Sequence, residues 1–382
     1  MATPCCWSGP EARATHLKFE LLAGGAVTPR AGLMTLGHGA FETPAFMPVG
    51  TRGAVKAVDS EDLRRLGPGM ILANAYHLWM APGPDAVAAA GGLHRFTGWH
   101  GNILTDSGGY QAVSLDRAGT ATVDDQGVRF KDGEGRERRL TPELAVEVQE
   151  QLAPDVMMAL DHPVPYPASI EAARVATERT HRWAERCLKA WSRGPTELFG
   201  IVQGGFDEEL RRYSARSIDA MGFPGHAIGG LSLGEPPELG RELTAAVNAE
   251  LASDRPRYLM GVGSEPELLD AIAAGVDIFD CVWPTRLART GAALVGPGRL
   301  NITNAAHTEE PGPLEHGCAC QACRGHSRAQ LRYMFMRGEL LAYRLLTIHN
   351  LHHTLELTRL ARAAILRGEF DQFRAARLGA QI

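Results

Sequence analysis

The sequence predicts a (β/α)8 TIM barrel with an inserted zinc-binding subdomain near its C-terminal end. Three observations carry that expectation. Eight short apolar runs close on Gly, Asp, Asn or Pro or just after one. Helix-forming stretches separate most of them. At 382 residues the chain can bury a substantial core, as one large domain of barrel size or two smaller ones.

The runs are residues 44–50, 70–76, 102–109, 155–161, 197–205, 226–234, 258–263 and 277–284. They lack clean period-two alternation, as expected of parallel strands buried on both faces. Between them, Thr141 and Pro142 stand as N-cap and first helical residue. Ser264 and Glu267 have capping-box spacing in a stretch that closes on Gly275. Residues 170–191 and 207–222 are also strongly helical in pattern. Strand ends rich in glycine and acids make sense here, because the active face of such a barrel is built from them. The rhythm breaks between His307 and His353. The expected division is therefore a disordered extension at 1–14, the barrel at 15–306, a zinc-binding subdomain at 307–353 and a helix completing the barrel at 354–382.

Hydrophobic and charged contents of 45% and 22% are ordinary for a soluble domain. No apolar run is long enough to cross a bilayer. The N-terminus has neither a basic start nor an apolar stretch, so no signal peptide is expected and a cytoplasmic location with reduced thiols is. A net charge of −5 does not mark a nucleic-acid binder, but its distribution is uneven. From Cys281 onward there are 13 arginines, no lysine and 7 acids. That bias is either a localised surface for a polyanion or a solvated helical face.

Cys318, Cys320 and Cys323 form C-x-C-x-x-C. Three thiols leave one over for disulfides, so a metal is the better reading. His349, His352 or His353 could supply the fourth ligand, and four protein ligands make a closed, structural zinc site. Near the strand ends, Asp106 precedes Ser107, Gly108 and Gly109; Asp161, Gln203, Gly230 with Leu231, and Asp280 lie in four other runs. Arg286 and Arg289 lie just beyond Asp280. This set suits a planar polar heterocycle. A carboxylate and an amide can read a purine's donor–acceptor edge, and glycine walls admit its flat body. The remaining carboxylates can act as nucleophile and as acid/base.

The motifs "TPAFMPVGTRGAVK", "ILANAYHL", "LTDSGGYQ", "GIVQGG", "AIGGLSLGE", "YLMGVG", "DCVWPTRLARTG" and "CACQAC" with "IHNL" stand in this order. In them the chain resembles the bacterial-type tRNA-guanine transglycosylases, or queuine tRNA-ribosyltransferases, from about Phe41 to Asp371. The resemblance implies a base exchange in queuosine biosynthesis. The wobble guanine of tRNAs with a GUN anticodon (those for Asp, Asn, His and Tyr) leaves, and 7-aminomethyl-7-deazaguanine enters through a covalent enzyme–RNA intermediate. It casts Asp280 as nucleophile and Asp106 as the proton-accepting acid/base group. Asp161, Gln203 and the Gly230 amide would read the base, and the Leu231 carbonyl would accept the aminomethyl group. Tyr110 and Met260 would sandwich the base, with Ser107, Gly108, Gly109, Gln111 and Leu233 in the same pocket. Gly261, Val262, Gly263, Ser264, Glu265, Pro266 and Glu267 would hold the anticodon RNA, together with Thr285, Arg286, Leu287, Ala288 and Arg289. Cys318, Cys320, Cys323 and His349 would bind one structural Zn2+ per subunit of a homodimer, in which one subunit catalyses while the other orients the tRNA.

Two displacements at one anomeric carbon retain its configuration. Neighbouring carboxylates disfavour joint ionisation, so Asp106 is expected to hold a proton more readily than a lone Asp. Three residues depart from the family's usual pattern: Pro163 where Cys is usual, Leu233 where Val is usual, and Ala75 where Thr is common. A non-catalytic tRNA-binding partner of the same fold is the rival reading, opposed by the presence of Asp106, Asp161 and Asp280 together. A sugar-hydrolysing barrel is a second, opposed by the base-reading set and the cysteine cluster.

Overall fold

The computed structural model describes residues 17–111, 114, 121–132 and 134–379. The extension at 1–14, with Cys5 and Cys6, lies outside them. The described chain opens with an antiparallel sheet of β1 (Lys18–Ala23), β2 (Ala31–Leu36) and β3 (Gly39–Thr43). Next come β4 (Ala45–Gly50), β5 (Met70–Asn74) and β6 (Asn102–Asp106). A second antiparallel sheet, β7 (Ala121–Asp124), β8 (Gly127–Lys131) and β9 (Glu137–Leu140), is inserted before β10 (Val156–Met158). Then follow β11 (Glu197–Val202), β12 (His226–Ile228), β13 (Arg257–Leu259) and β14 (Ile278–Cys281). Strands β4, β5, β6 and β10–β14 pair in parallel and close into one eight-stranded barrel. Each of the eight apolar runs supplies one strand, so the expected TIM barrel is the fold.

Period-two alternation divides the barrel residues. Met47, Val49, Leu72, Leu104, Met158, Phe199, Ile201, Ala227, Tyr258 and Ile278 fill the interior, and Met34, Leu36 and Phe41 of the N-terminal sheet join them as the floor. Each such buried side chain contributes roughly 1.5–3 kcal/mol. Arg30, at the start of β2, is tied to Asp277 at the base of β14 by a buried ion pair of 3.1 Å. The functional side chains continue the inward series: Asn74 follows Leu72 by two residues, Asp106 follows Leu104, Gln203 follows Ile201 and Asp280 follows Ile278. The alternation thus sends them to the C-terminal mouth.

The helix starts follow their local signals. Thr141 accepts from the Leu144 amide at the head of helix Pro142–Leu152. Ser264 and Glu267 form the full capping box of helix Glu265–Ala273. Helices Ile170–Ala190 and Glu208–Ala220 lie where the pattern put them. After β14 come helix Trp283–Arg289, the hairpin β15 (Ala292–Val295) with β16 (Gly298–Asn301), and the short helix Gln321–Gly325, which carries Cys323 and has Cys320 as its N-cap. Helix Leu340–Leu366 then packs on β4 and on helix Trp283–Arg289. It is continuous through residues 353 and 354, with no Gly or Pro to end it, so the division drawn there falls inside one helix. Among the described residues no helix is long and apolar enough to cross a membrane.

Candidate active site

The barrel mouth opens into a cavity of about 450 Å3 lined by Asp106, Asp161 and Asp280. A larger cavity of about 550 Å3 lies at the opposite end of the barrel. Its Arg64 is bound to Glu61, its Arg359 to Glu356 and the Leu66 carbonyl, and its Arg362 to the Gly32 and Thr43 carbonyls. Size alone therefore does not locate the chemistry; the gathered carboxylates do.

Asn74 and Asp106 are register partners on β5 and β6. The Asn74 side-chain Oδ1 accepts the His77 amide at 2.9 Å, which turns its Nδ2 donor onto Asp106 Oδ2. The Ala75 amide donates to Asp106 Oδ1 at 3.1 Å. Burial, helped by the charges of Asp280 and Asp161, still pushes Asp106 up to about 8. Asp280 is held differently. Burial raises it too, but the Tyr258 hydroxyl (2.5 Å) and the Gly261 amide (2.9 Å) both donate to its Oδ1 and favour the charged form. Among the described residues none bonds Asp280 Oδ2. The site thus contains one carboxyl that burial pushes well above the usual range and another whose charged form is favoured by two donors.

Asp161 is raised to about 6, chiefly by burial, and accepts from Gln203 Nε2 at 2.7 Å. Gln203 does not line the cavity; it is buried behind Asp161 and fixes it. A Cβ on Gly109 would sit 2.2 Å from Asp161 Oδ1, so only glycine lets that loop close over the carboxylate. Buried oxygens Gln203 Oε1 and Gln111 Oε1 have no hydrogen-bond partner among the described residues. Unpaired acceptors of this kind fit a ligand that brings its own donors. Ser107, Gly108, Gly109, Tyr110, Gln111, Gly230, Leu231, Leu233 and Met260 all line the cavity, as does Pro163. Beyond Leu231, the Ser232 and Leu233 amides both donate to the Glu235 carboxylate, the latter at 2.9 Å.

The two RNA-binding candidate segments flank this mouth unevenly. Arg286 and Arg289 are exposed, and Arg286 borders the cavity. Gly261 is exposed, and Ser264, Pro266 and Glu267 are half-buried. Val262, Gly263, Thr285, Leu287 and Ala288 are buried, and the Glu265 carboxylate is taken by Arg377 and His353. Much of the arginine-rich C-terminal part is likewise spent inside the fold. Arg344 holds buried Asp62 through two bonds of 2.7 Å, Arg374 holds Asp270, and Arg328 holds Glu310.

Cys318, Cys320, Cys323 and His349 converge. Their sulfurs lie 3.8, 3.5 and 3.4 Å from His349 Nδ1. A tetrahedral ion with bonds of about 2.3 Å to sulfur and about 2.0 Å to nitrogen sets such ligands about 3.5 Å apart, so the cluster could hold a metal ion and fits zinc. His349 Nε2 faces the Leu294 carbonyl at 2.7 Å, a bond that fixes the ring with Nδ1 toward the sulfurs. The choice among three histidines that spacing left open is thereby made. His353 is turned away, between Glu315 and Glu265. Four converging ligands leave no open position for chemistry.

Three side chains at the site carry weak sequence signals or none. Asn74 stands where an N-cap residue would, before helix Ala75–Met80. Tyr258 reads as strand filling. Arg211, on an amphipathic helix, reads as solvent-facing, yet it is wholly buried, and burial lowers it to about 9.

The fold is thus a parallel barrel whose mouth gathers three carboxyls, with a four-ligand cluster that could hold a metal ion near its C-terminal end. A family model described as Queuine tRNA-ribosyltransferase matches residues 26–381. Proteins of that name are similar over most of the chain. One from Desulforudis audaxviator is 49% identical over 94% of this chain and 98% of its own. One from a Cyanothece species is 50% identical over 90% of each. One from Thermus thermophilus is 48% identical over 94% and 92%. The chain belongs to the queuine tRNA-ribosyltransferase family and is a tRNA-modifying pentosyltransferase.

Proposed function

We propose that the protein exchanges the wobble guanine of GUN-anticodon tRNAs for 7-aminomethyl-7-deazaguanine through a covalent Asp280–ribosyl intermediate. The carrying observation is the difference between the carboxyls: Asp280 receives hydrogen bonds from Tyr258 and Gly261 that favour its charged form, while burial raises Asp106 to about 8. Asp280 Oδ2 attacks the anomeric carbon as the bond to guanine breaks, and Asp106 gives the departing base its proton. The incoming base returns that proton to Asp106 as its nitrogen displaces Asp280. Configuration is retained. The target nucleotide must leave its stack to reach the barrel mouth.

Asp161, which Gln203 holds in place from behind, and the Gly230 amide read the base between Tyr110 and Met260. The aminomethyl group is supported by the Ser232–Glu235 bond. In a planar trans peptide the N–H and C=O point oppositely, so an amide turned to Glu235 turns the Leu231 carbonyl away from it. Segments 261–267 and 285–289 hold the anticodon RNA. The cysteine cluster binds one structural zinc ion, which holds a core-poor insertion together. The chain works in the cytoplasm, where its thiols stay reduced, as a homodimer. Exposed Tyr333, Met336, Leu340 and Leu341 beside the cluster supply an apolar face suited to a second copy.

The test is incorporation of labelled guanine into GUN-anticodon tRNA, with several deazaguanines as competitors. Parent protein should incorporate the label and Asp280→Asn should not, while keeping its fold. Near-normal turnover by Asp280→Asn would sink the reading.

A further inference from the structure

Arg211 is a wholly buried cation beside the cavity with no acid in ion-pair contact among the described residues. Its side chain leaves the first turn of helix Glu208–Ala220 and reaches four backbone carbonyls. Nε donates to Gly205 at 2.8 Å, Nη1 to Gly229 at 2.6 Å and Val202 at 3.4 Å, and Nη2 to Gly230 at 3.2 Å. Three residues further along the same helix, Ser214 Oγ accepts the Gln203 amide at 3.2 Å and bonds His181 at 2.9 Å. One helix thus fixes the ends of both β11 and β12. Burying a guanidinium without a carboxylate is unfavourable unless its donors are satisfied, so the arrangement calls for a reason.

We propose that Arg211 is a positioning residue for base recognition: by holding the Gly229 and Gly230 carbonyls it turns the Gly230 and Leu231 N–H groups into the cavity. The Gly229 carbonyl and the Gly230 N–H belong to one planar trans peptide and point in opposite directions. The same holds for the Gly230 carbonyl and the Leu231 N–H. Gly229, Gly230 and Leu231 all line the cavity, and Arg211 does not. Gly230 has φ +71, and a Cβ there would lie 2.3 Å from Gln203 Oε1, so the loop is shaped for this one backbone path. Two donors side by side suit the carbonyl oxygen of a guanine-like base. The planar, five-donor guanidinium can serve four carbonyls at once; a lysine ammonium cannot. The inference rests on the reading of the cavity as a base site.

Arg211→Met and Arg211→Lys in the full-length protein test it. The base KM, tRNA KM and kcat are measured separately, with thermal melting and with capture of RNA on Asp280, which requires no incoming base. Arg211→Met should raise the base KM about tenfold, the equivalent of one hydrogen bond at about 1.4 kcal/mol per decade. Arg211→Lys should restore part of that. The KM for tRNA, most of whose contacts lie outside the pocket, should stay within about twofold of the parent, and RNA capture at saturating tRNA should reach the parental extent, because the departing guanine is tethered to the RNA. A folded variant with the parental base KM overturns the proposal. So does a rise of base KM and tRNA KM with loss of capture, all in step with a falling melting temperature, because that is a purely structural role. Should Arg211→Met fail to fold, Arg211→Lys decides on the same two criteria. A parent that incorporates no labelled guanine overturns the base-site reading and this proposal with it; a parent that does, with unmoved base KM in the variants, overturns this proposal alone.

Discussion

The Tyr258 hydroxyl donates to Asp280 Oδ1 at 2.5 Å from the neighbouring strand, and the Gly261 amide meets the same oxygen. The bond stabilises the ionised carboxylate against the burial that raises it. Removing the donor in Tyr258→Phe therefore moves Asp280 further up. The acid limb of kcat/KM should shift to higher pH by about one to two units, since a hydrogen bond to a charged group is worth about 1.5–3 kcal/mol. A pH–rate profile of base exchange checks this; an unmoved limb would remove the role given to Tyr258.

Asp106 gives a prediction about stability as well as turnover. Its folded value of about 8 lies above the ordinary 3.8, so the stability it contributes is present below pH 4 and is lost as pH rises through about 8. Asp106→Asn escapes that loss. The variant should be more stable than the parent by a margin that grows by roughly 1 kcal/mol per pH unit from pH 5 to pH 8 and then levels. Denaturant titrations at pH 5, 7 and 9 measure the margin. The same variant should fail in base exchange yet still trap RNA covalently, because attack and proton transfer are separate roles.

Purified protein should carry about one zinc per chain. Cys320→Ala removes a buried ligand and should lower zinc content and melting temperature together, since binding energy at such a site is folding energy. Elemental analysis paired with calorimetry reads both. Well-folded, active protein without zinc would refute the assignment.

Leu233 and Pro163 border the cavity mouth. Queuine carries a bulky cyclopentenediol where the aminomethyl base ends in a free amine, and Leu233 is larger than the Val usual there. The parent should use queuine about tenfold to a few hundredfold less efficiently, in the range of overpacking penalties. Leu233→Gly should recover part of that. Equal use of both bases by the parent would show that Leu233 does not gate the pocket.

The barrel was legible because parallel strands buried on both faces write unbroken apolar runs, and Asp106 and Asp280 extend those runs in phase with the inner face. The cysteine spacing was legible for the same kind of local reason. The N-terminal floor was not: β1 alternates between exposed and half-buried residues and looks like surface. The β7–β9 sheet is equally polar in its outward residues. Arg211 could not be found in sequence, because its partners are backbone carbonyls, which no residue pattern spells. The arginine bias misleads in the other direction, since Arg344, Arg374 and Arg377 answer acids far away in the chain.

Asn350 adjoins His349 on the long helix. Its amide donates to the Pro284 and Ala292 carbonyls at 3.0 Å each and accepts the Leu294 amide at 2.8 Å. One strap therefore joins the metal ligand to the first turn of helix Trp283–Arg289, four residues past Asp280. An ion that settles the cluster would, through Asn350, also settle that helix, which carries the cavity-lining Arg286. An ion held by the cluster would thus reach the rim of the active site through one asparagine, without itself touching the chemistry.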